Sequence, residues 1–383
     1  MAQRRYSTGK RKAKIRYKNV ALLLAVLILI VALICGSCSA IKKSKDNKDD
    51  PDVGKTPDLN VSLPPPDDSD EPEINQPLDL TKQTSYRFDS VTRGQDDLGV
   101  GDLTLVNNNI KFLGKVNEDD LVVIREKKNG AYWVRDYSVL ILPEAMDALN
   151  AMLLDFNTAT GNGNVMVRSG YRTIEYQQQL YDDELAKTGA VSSALVAMPG
   201  YSEHHTGLVV DFTTYNGSTY KDFDGSGDYE WIMNNCHKYG FVNRYPKGKE
   251  KLTYIDNEPW HFRYVGTPHA KVMKDYDYCL EEYISFIKNY TIDTGFLLVE
   301  DDDGSKYIIY YTPLTDPEST SIYIPVKEDE TMHDYEISGN NVDGFIVTVK
   351  LEQGTAQPEP SAPVDPTSPD ENPDAANQPQ DNQ

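Results

Sequence analysis

The chain has 383 residues, of which 60 are acidic and 38 are basic, and its formal net charge is −22. That length accommodates one sizeable folded domain together with extensions. Nucleic-acid binding requires a basic face, so we expect a chain this acidic to have no nucleic-acid partner.

The N-terminus differs in character from the rest of the chain. Residues 1–19 contain eight basic and no acidic side chains, and residues 20–41 are almost entirely apolar or small. About 20 apolar residues let a helix span a bilayer, and basic residues stay on the cytoplasmic side. We therefore predict a basic cytoplasmic arm at 1–19, a single-pass transmembrane anchor at 20–41 and an extracellular remainder at the cell membrane. A cleaved signal peptide, or a lipoprotein anchored through Cys38, stays open as an alternative.

Two segments have too few apolar residues to form a core. Residues 42–84 are rich in Asp, Pro, Lys and Asn, and residues 354–383 in Pro, Asp, Asn and Gln. Such compositions are typical of extended, solvated chain. We predict a disordered linker at 42–84, which would hold a folded domain away from the lipid, and a disordered tail at 354–383.

The first part of the folded region, residues 85–293, alternates strand and helix patterns. Short β-rich pieces are expected at 103–107 and 121–124. Pro143 suits the first turn of a helix, and apolar residues follow it at helical spacing. Further along the chain, the pattern predicts a strand at 165–172, a helix at 174–185, a helix at 229–239 that stops at Gly240, a strand at 241–245 and a helix at 268–290.

The stretch from Pro199 to Asp211 is the first half of a candidate metal site. It holds His204 and Asp211, a metal-binding imidazole and carboxylate separated by seven residues. On a straight helix this spacing puts them roughly 10 Å apart along the axis, too far to share an ion with ligand bonds of about 2 Å. The chain must therefore turn between them. Gly207 permits that turn, and residues 208–212 then form a short strand.

The second half of the site is expected at Glu258-Pro259-Trp260-His261, which supplies a third imidazole and a second carboxylate. Pro259 disfavours the α conformation at Glu258, so this segment is not the middle of a helix. Two histidines and one carboxylate form a catalytic type of zinc site, because three protein ligands leave a position open for water. Glu258 would then be free to accept a proton from that water.

These segments resemble a known family. Ser202-x-His204-x-x-Gly207-x-Val209-x-Asp211 followed by Glu258-x-x-His261 is similar to the metal motifs of the VanY-type zinc D-alanyl-D-alanine carboxypeptidases, cell-wall peptidases that include L,D-carboxypeptidases. Three more segments agree in the same order along residues 100–290. They are Ser169-Gly170-Tyr171-Arg172 with Gln177, Tyr239-Gly240-Phe241 with Arg244-Tyr245-Pro246, and Trp260-His261-Phe262-Arg263-Tyr264.

The resemblance implies an α+β fold, in which an antiparallel sheet carries the zinc site and helices surround it. It implies zinc ligands at His204, Asp211 and His261 rather than at the adjacent His205. The remaining roles that it implies are Glu258 as the catalytic base, Arg172 as a catalytic residue that contacts the substrate and stabilises charge, and Gln177 and Ser202 as substrate-binding residues.

The predicted activity is removal of the terminal D-alanine from peptidoglycan stem peptides by a membrane-anchored zinc carboxypeptidase. An L,D-carboxypeptidase acting on tetrapeptide stems remains an alternative, since the stereochemistry of the penultimate residue is read by pocket shape. A non-catalytic cell-wall-binding module is the other alternative. A binding module has no use for a free base, so the presence of Glu258 favours the enzyme.

Residues 294–353 are expected to form a small all-β appendage. Strand patterns at 296–299, 306–311, 321–326 and 345–351 are separated by turn signals such as Asp303-Gly304. Cys236 and Cys279 could form a disulfide in an extracellular compartment, or could be buried thiols.

Overall fold

The computed structural model describes residues 87–193 and 195–352. The predicted arm, anchor, linker and tail therefore lie outside the described residues. Within the described ranges, no helix is both long and apolar enough to cross a membrane.

The described ranges form fourteen strands, seven α-helices and five short 3-10 helices. The strands are β1 (Phe88–Arg93), β2 (Val122–Val123), β3 (Trp133–Val134), β4 (Leu140–Ile141), β5 (Val165–Ser169), β6 (Val209–Tyr215), β7 (Tyr220–Asp222), β8 (Phe241–Tyr245), β9 (Glu258–Tyr264), β10 (Leu297–Glu300), β11 (Lys306–Pro313), β12 (Thr320–Pro325), β13 (Asp334–Gly339) and β14 (Gly344–Glu352). The α-helices are α1 (Ile124–Lys127), α2 (Pro143–Thr160), α3 (Ile174–Thr188), α4 (Glu230–Asn235), α5 (Glu250–Thr253), α6 (Thr267–Asp275) and α7 (Leu280–Ile287). The 3-10 helices are Gln95–Gly99, Glu118–Asp120, Glu203–Thr206, Gly227–Tyr229 and Cys236–Tyr239.

The central sheet has the order β3-β5-β6-β9-β8, with β7 paired to the far part of β6. All of its pairings are antiparallel except that of β3 with β5. Side chains alternate between the two faces of a strand. Val210 and Phe212 of β6 belong to the large apolar core, and Asp211 between them faces the other way. This arrangement confirms the predicted α+β class.

Helix α2 covers the apolar face of the sheet. Pro143 begins it and Gly161, at φ 70°, ends it. Met146, Leu149, Leu153 and Phe156 follow at helical spacing, and each is at most 2% exposed. Burying a side chain of this size contributes about 1.5–3 kcal/mol, so this face anchors the helix to the sheet.

Two predicted elements differ from the structure. Residues 103–107 are buried but do not form a strand. Their peptide carbonyls accept hydrogen bonds from buried arginines, because Arg263 bonds the carbonyl of Thr104 and Arg244 that of Val106. The helix predicted at 268–290 is also wrong as one piece. It breaks into α6 and α7 at Asp277, which has φ 54°, and the Cys279 amide then donates to the Glu282 carboxylate at the start of α7.

The C-terminal region is all β, as predicted. A four-stranded sheet has the order β10-β11-β14-β13. Strand β13 was not predicted. β12 pairs outside this sheet with β1, an antiparallel partner more than 220 residues earlier, so the start of the predicted 85–293 segment packs with the appendage. Cys236 and Cys279 are buried free thiols, and no disulfide joins them.

Candidate active site

A tight turn at Gly207 brings the two halves of the first motif together. The 3-10 helix Glu203–Thr206 ends at Gly207, whose φ of 73° is the left-handed conformation that glycine adopts most readily. A Cβ there would also stand 3.1 Å from the side chains of Leu121 and Leu142. The turn leaves Nε2 of His204 only 3.3 Å from Oδ2 of Asp211, as the seven-residue spacing requires.

Sheet pairing supplies the third member of the cluster. Strands β6 and β9 are antiparallel neighbours in which Asp211 lies directly opposite His261. Nδ1 of His261 is 3.0 Å from Oδ1 of Asp211. The segment from Glu258 is a strand and not a helix, in agreement with the effect expected of Pro259.

Both imidazoles have fixed orientations. Nδ1 of His204 lies 2.6 Å from the carbonyl oxygen of Gly170, so it must carry the proton and leave the Nε2 lone pair facing Asp211. Nε2 of His261 lies 3.4 Å from Oε2 of Glu203, which orients its Nδ1 towards Asp211. Outer hydrogen bonds of this kind set the tautomer and direction of metal-binding histidines.

The three side chains fit a zinc ion. One potential ligand atom from each of His204, Asp211 and His261 lies within 4.8 Å of the other two, and all three residues are buried. Ligand atoms about 2 Å from a tetrahedral zinc are roughly 3.3 Å apart. Here each imidazole faces a different oxygen of Asp211: Oδ2 lies 3.3 Å from Nε2 of His204, and Oδ1 lies 3.0 Å from Nδ1 of His261. Two nitrogens and one carboxylate leave the fourth position open, as in catalytic zinc sites.

Glu203 orients His261 through the Nε2 atom of its ring. The side chain of Glu203 is completely buried, and Oε1 accepts hydrogen bonds from Arg244 at 2.7 Å and Arg263 at 3.0 Å. Burial alone would raise the pKa of this carboxyl, but the two guanidinium groups hold the pKa well below its ordinary range. Arg244 also pairs with Glu281 of α7 at 2.7 Å. A buried charged cluster thus connects the candidate site to the helix behind it.

Among the described residues, Glu258 is the carboxyl of this site with the longest contact to a cationic partner. Its Oε2 lies 3.7 Å from Nδ1 of His261, and the residue is 7% exposed. Burial raises the pKa of Glu258 from 4.5 to about 7, against the opposing effect of the His261 charge. A carboxyl with a pKa near 7 can both accept and return a proton near neutral pH.

The pKa values of the histidines move in opposite directions. Burial, reinforced by the nearby Arg172 charge, lowers the pKa of His204 to about 4. Burial also acts to lower the pKa of His261, but its hydrogen bonds to Asp211 and Glu203 outweigh burial and raise the pKa to about 9. In the metal-free protein His261 therefore carries a proton that a metal must displace.

Arg172 lies in the site and pairs with a candidate metal ligand. Its Nη2 donates to Oδ2 of Asp211 at 2.8 Å and to the hydroxyl of Ser169 at 2.9 Å. Gln177, 1% exposed, accepts from Arg172 at 3.4 Å and donates to the carbonyl of Ala197. The structure therefore places Gln177 as a support for Arg172 as well as in the lining of the cleft.

Ser202 and His205 complete the turn. The hydroxyl of Ser202 accepts the amide N–H of His204 at 3.4 Å, and the side chain also lines the cleft. His205 does not join the cluster of ligand atoms. Its Nε2 accepts the amide of Gly200 and its Nδ1 donates to the carbonyl of Arg172, so backbone groups occupy both ring nitrogens.

The cluster opens into a cleft of about 480 Å³. All seven side chains to which the sequence analysis assigned roles line it: Arg172, Gln177, Ser202, His204, Asp211, Glu258 and His261. The roles of the individual residues remain predictions. The structure brings them together from β6, β9, α3, the loop between β5 and α3, and the turn before β6.

Sequence reasoning assigned no role to four residues of this site, Glu203, Tyr245, Arg244 and Arg263, although the last three lie in segments that resemble the family. The ring of Tyr245 packs 4.8 Å from that of His261. Glu203, Arg244 and Arg263 are of residue types that are normally solvated, so their identity alone does not indicate that they are buried in the site. Their positions in the sequence could have indicated a role. Arg244 and Arg263 each lie between apolar or aromatic residues in a strand, and Glu203 immediately precedes the predicted ligand His204.

The comparisons with known proteins agree with this geometry. The family model for VanY, described as D-alanyl-D-alanine carboxypeptidase, matches residues 139–267. A D-alanyl-D-alanine carboxypeptidase of Enterococcus faecium is 35% identical over 271 residues, which cover 70% of this chain and 80% of that protein. This chain belongs to the VanY D-alanyl-D-alanine carboxypeptidase family. These two matches confirm the family and the zinc carboxypeptidase class that were predicted from the motifs. The donor set of two imidazoles and one carboxylate agrees with zinc as the cofactor.

Two further relatives extend the comparison. The bifunctional D-Ala-D-Ala dipeptidase and carboxypeptidase VanXYC of Enterococcus gallinarum is 34% identical over 158 residues, covering 40% of this chain and 81% of that protein. The crystal structure of the D,D-dipeptidase VanXYg in complex with a D-Ala-D-Ala phosphinate analog has a TM-score of 0.59 and 33% identity. The match covers 69% of this chain and all of VanXYg. The VanY-family fold therefore extends well beyond the residues matched by the family model.

Proposed function

We propose that this chain is a zinc D,D-carboxypeptidase that removes the terminal D-alanine from peptidoglycan stem peptides. The observation that carries the proposal is the convergence of a zinc-type donor set, a carboxyl with a pKa near 7 and a half-buried arginine in one open cleft. The names of the Enterococcus relatives, which act on D-Ala-D-Ala, support this choice of substrate.

In this proposal His204, Asp211 and His261 hold the zinc ion. Bound zinc supplies a Lewis acid that polarises the scissile carbonyl and lowers the pKa of a water molecule. The remaining work falls to the chain's own residues. Glu258 accepts a proton from the water whose oxygen bonds to the scissile carbonyl carbon, and it returns that proton to the departing amine nitrogen as the C–N bond breaks.

Arg172 provides the positive charge of the site. Its guanidinium is fixed by Ser169, Gln177 and Asp211, so it is already oriented before a substrate arrives. We propose that it stabilises negative charge developing on the peptide during cleavage. Gln177 and Ser202 would contribute polar contacts along the same wall of the cleft.

The test compares the zinc-loaded protein with Glu258→Gln on a stem pentapeptide ending in D-Ala-D-Ala. We expect the parent to release D-alanine, and the variant to bind zinc and lose at least 100-fold in rate. Equal release by the folded, zinc-loaded variant would contradict the assignment of Glu258. A tetrapeptide stem tests the L,D alternative, and absence of cleavage of either peptide would favour the wall-binding module.

We also propose that the catalytic domain is extracellular and held at the cell membrane by residues 20–41. The basic arm before this segment and its apolar length support the proposal. Cell fractionation combined with external protease treatment of intact protoplasts tests it. A membrane-bound, protease-sensitive chain is expected. Recovery in the medium, starting after residue 40, would indicate a cleaved signal peptide instead.

A further inference from the structure

A second depression lies on the same sheet face as the candidate metal site. Asp211 and Thr213 are two residues apart on β6, so their side chains share a face. Met166 of β5 lies opposite Thr213 in the register. Met166 and Thr213 form the floor of a shallow depression of about 350 Å³, which β7 and the loop after β3 enclose.

The depression is basic although the protein is strongly acidic. Arg135, Arg168 and Lys221 line it, against one carboxylate, Asp222. Arg135 is already paired with Asp136 at 2.7 Å. The side chains of Arg168 and Lys221 are exposed, and neither makes an ion pair or hydrogen bond with any of the described residues. Two cations are therefore available to a ligand.

Arg168 connects the two cavities, because it lines both the active-site cleft and the basic depression. Arg168 lies in β5 directly before Ser169, the last residue of the strand, and Ser169 pairs with Asp211 of β6. The charge of Arg168 acts on Glu258 and on Arg172. A peptide bound across the metal site can therefore continue past Arg168 into the depression without leaving the surface.

The distance between the candidate metal site and the basic depression decides which residue of a bound peptide reaches the depression. Thr213 lies two residues, roughly 7 Å, from Asp211 along the strand, and an extended peptide advances about 3.3 Å per residue. A group in the depression thus belongs to a residue two or three positions from the scissile bond. A carboxypeptidase substrate has only one residue beyond that bond, so this group must lie on its N-terminal side.

We propose that Arg168 and Lys221 form an anion subsite that takes a carboxylate carried by the peptide substrate two or three residues before the cleaved D-alanine. This inference rests on the proposed function and adds a preference for acidic peptides over neutral ones. A dipeptide is too short to reach this subsite.

The test uses pairs of acetylated pentapeptides ending in D-Ala-D-Ala, which differ only by Glu or Gln at the second or the third residue before the cleaved one. The full-length zinc-loaded protein is expected to prefer the Glu peptide by about 3- to 10-fold in kcat/KM, mainly through KM. Arg168→Gln should bring that ratio towards one, and Arg168→Glu should reverse it in favour of a Lys peptide. Lys238→Gln removes an exposed charge that lines neither cavity and should leave the ratio unchanged.

Two results would overturn the subsite. One is a parent ratio near one at both positions, and the other is a ratio that neither Arg168 variant changes. If no peptide is cleaved at all, the proposed function fails. In that case calorimetry with zinc-loaded Glu258→Gln measures the ratio of the affinities for the same Glu and Gln peptides. Equal binding of the Glu and Gln peptides there would reject the subsite as well.

Discussion

The carboxylate of Glu203 lies 3.4 Å from Nε2 of His261, and neither the histidine nor the two arginines that hold this carboxylate are exposed by more than 3%. Glu203 is not one of the three candidate ligands, but it fixes the orientation of His261, which is. Loss of such outer partners costs about 10- to 100-fold in metal affinity.

We therefore expect Glu203→Gln to bind zinc about 10- to 100-fold more weakly, because His261 loses its negatively charged partner. The variant should also lose about 3–5 kcal/mol of stability, since Arg244 and Arg263 lose a shared carboxylate. A competition titration with a zinc chelator measures the first effect and denaturant unfolding the second.

Glu281→Gln is the matched control, because it removes a partner of the same Arg244 without touching His261. It should lower stability and leave zinc affinity within about twofold of the parent. If both variants weaken zinc binding equally, the effect comes from general loosening of the buried cluster, and the positioning role of Glu203 is rejected.

The pKa of Glu258 makes the free energy of unfolding of the metal-free protein depend on pH. The carboxyl has a pKa of about 7 when folded and 4.5 ordinarily, so the folded state binds more protons between these values. Stability from this group is therefore present at pH 4.5 and is lost as the pH rises through 7. The loss is at most about 3 kcal/mol.

Glu258→Gln removes this dependence, so the metal-free variant should be more stable than the metal-free parent at pH 8 by about 1–3 kcal/mol. The two proteins should have nearly equal stability at pH 4.5. Urea unfolding with a chelator present measures both values. A variant that is less stable than the parent at pH 8 would show that Glu258 is not destabilised by burial.

Zinc binding should release a proton from His261. The pKa of about 9 means that this imidazole is mostly protonated at pH 8 in the metal-free protein, whereas a ligand must be neutral. We expect His261 to contribute close to one released proton per zinc at pH 8, in addition to a proton lost from zinc-bound water, and the His261 contribution should fall as the pH approaches 10. Calorimetry in buffers with different ionisation enthalpies counts these protons. Release of none at pH 8 would mean that His261 is neutral beforehand or does not bind zinc.

Arg172→Lys should lower kcat by about 100-fold, since a lysine cannot reproduce the oriented guanidinium held by Ser169 and Asp211. Zinc content should stay near one per chain, because the three donors remain. Metal analysis and peptide turnover of the same sample measure the two quantities. His205→Gln, at a residue outside the donor cluster, should also retain zinc. Loss of zinc from Arg172→Lys would make it a support of Asp211 rather than a catalytic residue.

Much of the site could be predicted because its signals are local in sequence. The spacing of His204 and Asp211 requires a turn, and Gly207 supplies it. Pro259 excludes a helix at Glu258, and the structure has a strand there. Helix α2 follows from Pro143 and the periodic apolar residues after it. In each case the determining interactions lie within a few residues of one another.

The features that could not be predicted depend on distant contacts. Strand β1 exists because it pairs with β12, more than 220 residues later, and nothing near β1 in the sequence indicates that pairing. Residues 103–107 appear strand-like, but buried Arg244 and Arg263 bond two of their carbonyls, those of Val106 and Thr104, in place of a neighbouring strand. The same arginines make Glu203 part of the site. A charged residue inside a strand gives no indication in the sequence of which carboxylate it will meet.

The central claim is that Glu258 acts with the cluster of His204, Asp211 and His261 to cleave a terminal D-alanine. The most direct test is mass-spectrometric measurement of D-alanine released from a stem pentapeptide by the zinc-loaded protein, alongside zinc-loaded Glu258→Gln. The account predicts one equivalent of D-alanine from each peptide with the parent and a rate at least 100-fold lower with the variant. Release at the same rate by both proteins, or by neither, would contradict it.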